Sequence, residues 1–253
     1  MKVSLTPKNG TALLFLCFIM QETHELAHTT MGRIICGCWG KRNFNLWGLC
    51  SGCSDEKSLS ILATYAGPFY TFSIIWIGYF LLFKSSPKLK SIGFALIVSS
   101  MPFSRILTPI LGGGDEVYAL NKLLDNHSLA WAAGLTLVFV LVIPPSVKLW
   151  NVIENRRKAL WFVGILLVPF FMTGAVVFGL LQSLLLENGI MNDYWILGSP
   201  KLVTVWTLSS IIVFTVLSKS ISTLLEPALK DYDNDTTSGS VLLDSDATNY
   251  RGG

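Results

Sequence analysis

The sequence predicts an all-α integral membrane protein with about six transmembrane helices. Apolar residues make up 51% of its 253 residues and charged residues only 14%, whereas an ordinary soluble domain carries about 25% charged residues. The apolar residues are also gathered into long runs. A helix needs about 20 such residues to cross the ~30 Å hydrocarbon core of a bilayer.

Six runs approach that length, and each is predicted to form one span. In chain order they are Thr11–Met20, Ser60–Phe83, Ser91–Leu111, Ala130–Trp150, Ala159–Leu186 and Leu202–Leu217. The first run is the shortest, and it reaches Ile35 only if its polar second half remains helical. The polar sequence Gln21-Glu22-Thr23-His24 follows it and offers no small-residue cleavage site, so we expect a retained span and not a signal peptide.

The same patterns predict the domain organisation and the orientation. Residues 1–229 are expected to form one multi-pass membrane domain, followed by a disordered polar tail at 230–253. Lys and Arg are most frequent at the N-terminus, at 84–90, at 148–158 and at the C-terminus, which favours cytoplasmic termini. The net charge of +3 gives no indication of nucleic-acid binding. The expected surroundings are a lipid bilayer, and a chain this compact suits a bacterial inner membrane.

The polar half of the first run contains His24-Glu25-Leu26-Ala27-His28. Ionisable residues inside a membrane span are costly and are functional candidates by default. Residues four apart lie on one face of a helix, so both imidazoles can bind one Zn²⁺ while Glu25 acts as general base on water. Histidines that only hydrogen-bond to Glu22 or to neighbouring helices are the alternative without a metal.

A catalytic zinc takes three protein ligands and keeps one position open. The first and third spans run in the same direction, so the second half of the first meets the C-terminal end of the third. Asp115 lies there, after Gly112-Gly113-Gly114, where the glycines allow the backbone to approach closely. Asp115 is therefore the predicted third ligand, with Glu116 as the substitute. Acidic residues that only begin the next helix are the alternative.

Together, the motif at His24–His28, Ala66-Gly67-Pro68 at the start of the second span and Asp115 at the third resemble the site-2 protease family of intramembrane zinc metalloproteases. The resemblance covers about residues 11–125, which would form the metal-site core. It implies that zinc held in the membrane cuts membrane-embedded or membrane-adjacent segments of a protein or peptide substrate.

The chain departs from the family pattern at two positions. The family has Asn three residues after the Pro, where Thr71 stands here as a candidate substrate contact, and its Asp lies in Leu-Asp-Gly, whereas the glycines here precede Asp115. The family also places zinc nearer the cytoplasmic side, in conflict with the orientation that the basic residues predict. Arg105 in the third span is a further candidate for substrate contact. It could stabilise a developing oxyanion or hold a carboxylate, and a structural pair with Glu22 is an equal alternative.

Four cysteines, Cys36, Cys38, Cys50 and Cys53, lie in the loop after the first span. If the loop is extracytoplasmic, two disulfides that close a short hairpin are one interpretation. A structural zinc site is the second, and free or lipid-modified thiols are the third. The alternating sequence at 43–47 predicts one strand of a β-hairpin in this loop.

The predicted function is a zinc metalloendopeptidase with His24, His28 and Asp115 as ligands and Glu25 as catalytic base. Two alternatives remain. One is a non-catalytic membrane protein with a structural or sensory metal site, and the other is a small transporter. The near absence of ionisable residues in the last three spans speaks against a transporter.

Overall fold

The computed structural model describes residues 1–53 and 58–227, and within them the chain is a bundle of α-helices. The tail predicted at 230–253 lies outside the described residues. The eight α-helices named here are α1 (Pro7–Cys36), α2 (Ile61–Leu81), α3 (Pro87–Ser99), α4 (Pro102–Ile110), α5 (Asp115–Leu124), α6 (His127–Val152), α7 (Lys158–Thr173) and α8 (Lys201–Leu217). A π-helical segment, Gly174–Leu186, continues α7, and 3-10 turns lie at Ser58–Ser60 and Ser218–Thr223.

Five of the six predicted spans are helices long and apolar enough to cross a membrane. They are Ile61–Leu81, Pro87–Ile110, His127–Val152, Lys158–Leu186 and Lys201–Thr223. The remaining predicted span is the first in the chain and corresponds to α1. This helix has 30 residues and is long enough to cross a bilayer, but its polar second half leaves it outside this group. The described residues therefore contain five helices of sufficient length and apolarity, against about six spans predicted, and they are compatible with an all-α multi-pass membrane protein.

Local sequence explains where α1 begins and ends. Thr6 caps the first turn, because its hydroxyl accepts from the Asn9 amide while the Asn9 side chain accepts from the Thr6 amide. At the other end Gly37 adopts φ +82° and its N–H donates to the carbonyl of Arg33, as expected of a glycine that terminates a helix. The helix therefore continues through the whole polar segment 21–35.

The third predicted span is broken, and the break determines where the site residues lie. α3 stops at Ser99, Met101 takes a left-handed φ of +49°, and α4 begins at Pro102. Gly112 and Gly114, at φ +85° and +95°, then turn the chain into α5. Asp115 is the first residue of α5.

Both described ends of the chain lie on one side of the bundle. Strand β1 (Lys2–Val3) pairs antiparallel with strand β2 (Leu225–Glu226). The N-terminal ammonium also donates to the Val152 carbonyl and pairs with Glu154 at 2.7 Å. The loop between α6 and α7 is therefore on the same side as the termini.

The loop after α1 differs from the predicted hairpin. Its β-type pairing is an isolated antiparallel bridge between Arg42 and Trp47, and residues 43–47 form no regular strand. The side-chain oxygen of Asn43 accepts from the amides of Asn45 and Leu46. This turn, typical of Asn, leaves too few residues for a strand ladder.

Candidate metal centre

Two turns of α1 and the first residue of α5 bring three ligand atoms together. Nε2 of His24 and Nε2 of His28 are 3.2 Å apart, and Oδ2 of Asp115 lies 3.2 Å from the first and 3.3 Å from the second. Zinc with bonds of about 2.0–2.1 Å in tetrahedral geometry requires ligand atoms about 3.3 Å apart. The triangle therefore has the size of one face of a zinc coordination sphere. We call these residues the metal triad.

The other nitrogen of each ring is held by a neighbour on α2. Nδ1 of His28 is 2.7 Å from the carbonyl oxygen of Ala63, and Nδ1 of His24 is 2.9 Å from Oγ1 of Thr71. A carbonyl can only accept, so His28 carries its proton on Nδ1 and a neutral ring directs a lone pair from Nε2. Such contacts fix the tautomer and orientation of metal-binding histidines.

Gly67 explains why the sequence Ala66-Gly67-Pro68 lies beside the motif. A Cβ at this position would overlap Nε2 of His28 and lie 2.7 Å from Cε1 of His24. The backbone of α2 thus passes directly against both imidazole rings, which only glycine permits. The residue contributes space to the site and no chemistry of its own.

The triad opens onto a cavity of about 660 Å³, which we call the site cavity. Glu25 lines it together with His24, Asp115 and Arg105. Glu25 is 4% exposed, and its Oε2 atom has no hydrogen-bond partner among the described residues. A buried carboxylate oxygen without a partner is costly in a structural role, but it is the group that a general base requires.

Arg105 lies on α4 with Nη1 3.4 Å from Nε2 of His24. Its predicted alternative, a structural pair with Glu22, is wrong, because Arg42 fills that role with Nη1 2.9 Å from Oε2 of Glu22. Both members of that pair are buried. Arg105 is thus left at the wall of the site cavity with its guanidinium beside the triad.

Thr71 and Glu116 do not occupy the positions that the sequence predicted, a substrate contact and a substitute ligand. Thr71 is 4% exposed and lies behind His24, where it orients the ring and is not among the residues that line the site cavity. Glu116, the substitute ligand, lies outside the triad. It is buried, which raises the pKa of its carboxyl although Arg105 opposes the shift. Asp115 is the carboxylate that joins the histidines.

The cysteine-rich loop covers one side of the triad. Disulfides join Cys36 to Cys53 and Cys38 to Cys50, so the structure has the disulfide arrangement and not the structural zinc. The ring of Trp47 stacks on that of His28 with centroids 4.5 Å apart and planes 7° from parallel. The loop therefore holds an aromatic side chain against His28, one of the predicted ligands.

Two contacts anchor this loop to the bundle. Arg42 donates to Ser199 at 2.7 Å in addition to pairing with Glu22. Phe44 is fully buried in a hydrophobic cluster with Phe18 of α1 and Val203 of α8. The sequence marked this segment by its cysteines, but it gave no signal that Arg42 and Trp47 reach residues of α1.

No family model, no curated protein and no solved structure matches this chain. Two imidazole nitrogens and one carboxylate oxygen, with a cavity on the open side, are a donor set that suits zinc.

Proposed function

We propose that this chain is an intramembrane zinc metallopeptidase that hydrolyses peptide bonds of membrane-embedded or membrane-adjacent substrates. One observation carries the proposal. Three ligand atoms 3.2–3.3 Å apart adjoin a buried, unpartnered carboxylate in a cavity that is open to a substrate. The motif at His24–His28 and its resemblance to the site-2 protease family support the same assignment.

His24, His28 and Asp115 would hold the metal through the atoms that form the triangle. A zinc ion with three protein ligands supplies a Lewis acid that makes water ionise near neutral pH. Ala63 and Thr71 keep both imidazole rings in the orientation that directs Nε2 towards the metal.

Glu25 is the proposed general base. Its free Oε2 takes a proton from the attacking water, whose oxygen bonds to the carbonyl carbon of the substrate. The same proton then passes to the amide nitrogen as the carbon–nitrogen bond breaks, which releases an amine and a carboxylate.

Arg105 is the proposed stabiliser of the negative charge that develops on the carbonyl oxygen. Its guanidinium is at the cavity wall, 3.4 Å from a ligand atom of the triad. A charged donor that is already in place when the charge forms is an effective means of lowering the barrier. The site cavity, at about 660 Å³, is within the about 300–1,000 Å³ common for ligand sites.

The test uses the full chain in lipid nanodiscs with a mixture of synthetic peptides that correspond to single transmembrane segments. In H₂¹⁸O, hydrolysis adds one ¹⁸O to each new C-terminus, which mass spectrometry detects. We expect cleavage by the wild type, loss of cleavage with a zinc chelator, and loss with Glu25→Gln although that variant retains zinc.

If the wild type and every variant retain zinc but none of them cleaves any peptide, the peptidase assignment is overturned. That result would favour a structural or sensory metal site. Cleavage by Glu25→Gln at the wild-type rate would also overturn it. Arg105→Gln serves as the second variant. It should lower kcat at least tenfold without loss of zinc, because it removes a contact to charge that forms during the reaction.

A further inference from the structure

A second large cavity lies on the side of the bundle that holds the chain termini. It has a volume of about 1070 Å³ and runs between the N-terminal half of α1 and α7. We call it the interfacial groove. Its walls are apolar and include Leu13, Leu14, Leu160, Ile165, Val168 and Met172.

The mouth of the interfacial groove is basic. Lys2, Arg156 and Arg157 line it, and no Asp or Glu is among its lining residues. Within residues 1–53 and 58–227, none of these three cations takes part in a salt bridge. The nearby Glu154 is paired with the N-terminal ammonium. The mouth thus concentrates the positive charge of Arg156 and Arg157, while Lys2 has Glu226 as its cross-strand neighbour in the β1–β2 pair.

The length of the groove matches one leaflet of a bilayer. Its wall follows α7 from Leu160 to Met172, and twelve residues of helix extend about 18 Å at ~1.5 Å per residue. Half of the hydrocarbon core is about 15 Å thick. The apolar part of the groove is therefore long enough to span one leaflet.

Two glycines keep this space open. Gly10 of α1 and Gly164 of α7 both line the groove, and a Cβ added at either would meet nothing within 4 Å. A methyl group at either position would therefore meet open space.

We propose that the interfacial groove is a specific binding site for one anionic phospholipid. Its acyl chain lies along α7, and its phosphate lies at the mouth against Lys2, Arg156 and Arg157. Basic pockets between transmembrane helices on the cytoplasmic side are suited to acidic headgroups. The predicted cytoplasmic termini place the mouth at that leaflet. This proposal does not depend on the peptidase activity.

The shape of the site favours a phospholipid over a soluble phosphate. A soluble anion would use only the three cations at the mouth, which are exposed to solvent, where each contact contributes little. A phospholipid also lays its acyl chain along the apolar walls. Because that chain is in hydrocarbon both in the membrane and in the groove, the walls contribute close packing and position, and the basic mouth provides the selection for negative charge.

Native mass spectrometry of the detergent-purified full chain tests the proposal. The protein is titrated with phosphatidylglycerol or with phosphatidylcholine of the same acyl chains, and separately with inorganic phosphate as competitor. We expect one phosphatidylglycerol per chain, bound at least tenfold more tightly than phosphatidylcholine and not displaced by millimolar phosphate. Equal binding of the two lipids, or displacement by phosphate, would overturn the proposal.

Two variants locate the site. Arg156→Gln/Arg157→Gln should reduce the preference for phosphatidylglycerol at least tenfold, and Gly164→Phe should abolish the bound lipid by filling the groove. Lys84→Gln, on the same side, and Leu208→Phe, on the exposed surface of α8, are the matched controls and should bind as the wild type does. Circular dichroism checks that each variant is folded. Wild-type binding in either of the two site variants would show that the lipid binds elsewhere.

Discussion

Replacement of Gly67 by alanine is the smallest change that tests the geometry of the metal triad. The substitution adds one methyl group to α2 and removes no ligand. That methyl would overlap Nε2 of His28 and lie 2.7 Å from Cε1 of His24. Ordinary contact for a Cβ begins near 3.4 Å, so the imidazole rings or α2 must move by roughly 1 Å.

The shift is large on the scale that a metal site tolerates. Ligand distances have to stay within about 0.2 Å of their ideal values, and weaker perturbations, at residues that only orient a ligand, cost about 10–100-fold in metal affinity. We therefore expect Gly67→Ala to lower zinc affinity by about 100-fold. Overpacking in a filled core costs about 1–3 kcal/mol of stability, so the helices themselves should remain folded.

The assay is a competition titration of zinc between the purified protein and a chromophoric chelator. Gly164→Ala is the matched control, because its Cβ meets nothing within 4 Å and zinc affinity should not change. If Gly67→Ala binds zinc with wild-type affinity, the reasoning is refuted, because the zinc would then not be held by the two imidazole rings that pack against α2.

Three further results are expected. Thr71→Val keeps the shape of the side chain but removes the hydrogen bond to His24, so it should weaken zinc binding about 10–100-fold. Thr71→Ser keeps the hydroxyl and should bind zinc as the wild type does. Equal zinc affinities of the two variants would show that Thr71 does not orient His24. Arg42→Met leaves the buried Glu22 unpaired and should cost about 3–5 kcal/mol in unfolding titrations, and wild-type stability would contradict this. Iodoacetamide should label one cysteine when the protein is unfolded without reduction in the presence of a chelator, namely Cys17, the free cysteine of the described residues. After reduction it should label the other four cysteines as well. Labelling of all five cysteines before reduction would exclude the disulfides.

The membrane helices were predictable because their physical requirement is simple. Each of the last five apolar runs lies within a few residues of an observed helix, since length and apolarity decide where a span can lie. The break at Met101 was not predicted. It depends on one residue with positive φ before Pro102, and an apolar run carries no signal for such a break.

The metal triad was predictable to the level of residues because helical spacing and topology restrict it strongly. His24 and His28 share a face of α1, and parallel spans bring Asp115 to the same depth. The residues that surround the triad were harder to predict from the sequence. The role of Thr71 as a hydrogen-bond partner of His24 depends on the rotation of α2 about its axis, which residue spacing within one helix does not define.

Contacts made by the loop were the least predictable part. Trp47 stacks on His28 and Arg42 reaches Glu22 because two disulfides and a tight turn at Asn43 fold the loop back over α1. These contacts join residues of a loop without regular structure to a distant helix. Local sequence patterns do not define such pairings.

Zinc K-edge X-ray absorption of the purified wild-type protein tests the central claim most directly. The triad predicts a first shell of nitrogen and oxygen only, at about 2.0–2.1 Å, with the outer-shell signature of two imidazole rings. Sulfur scatterers at about 2.3 Å would place the zinc at the cysteines. That result, or a protein that binds no zinc, would contradict the account.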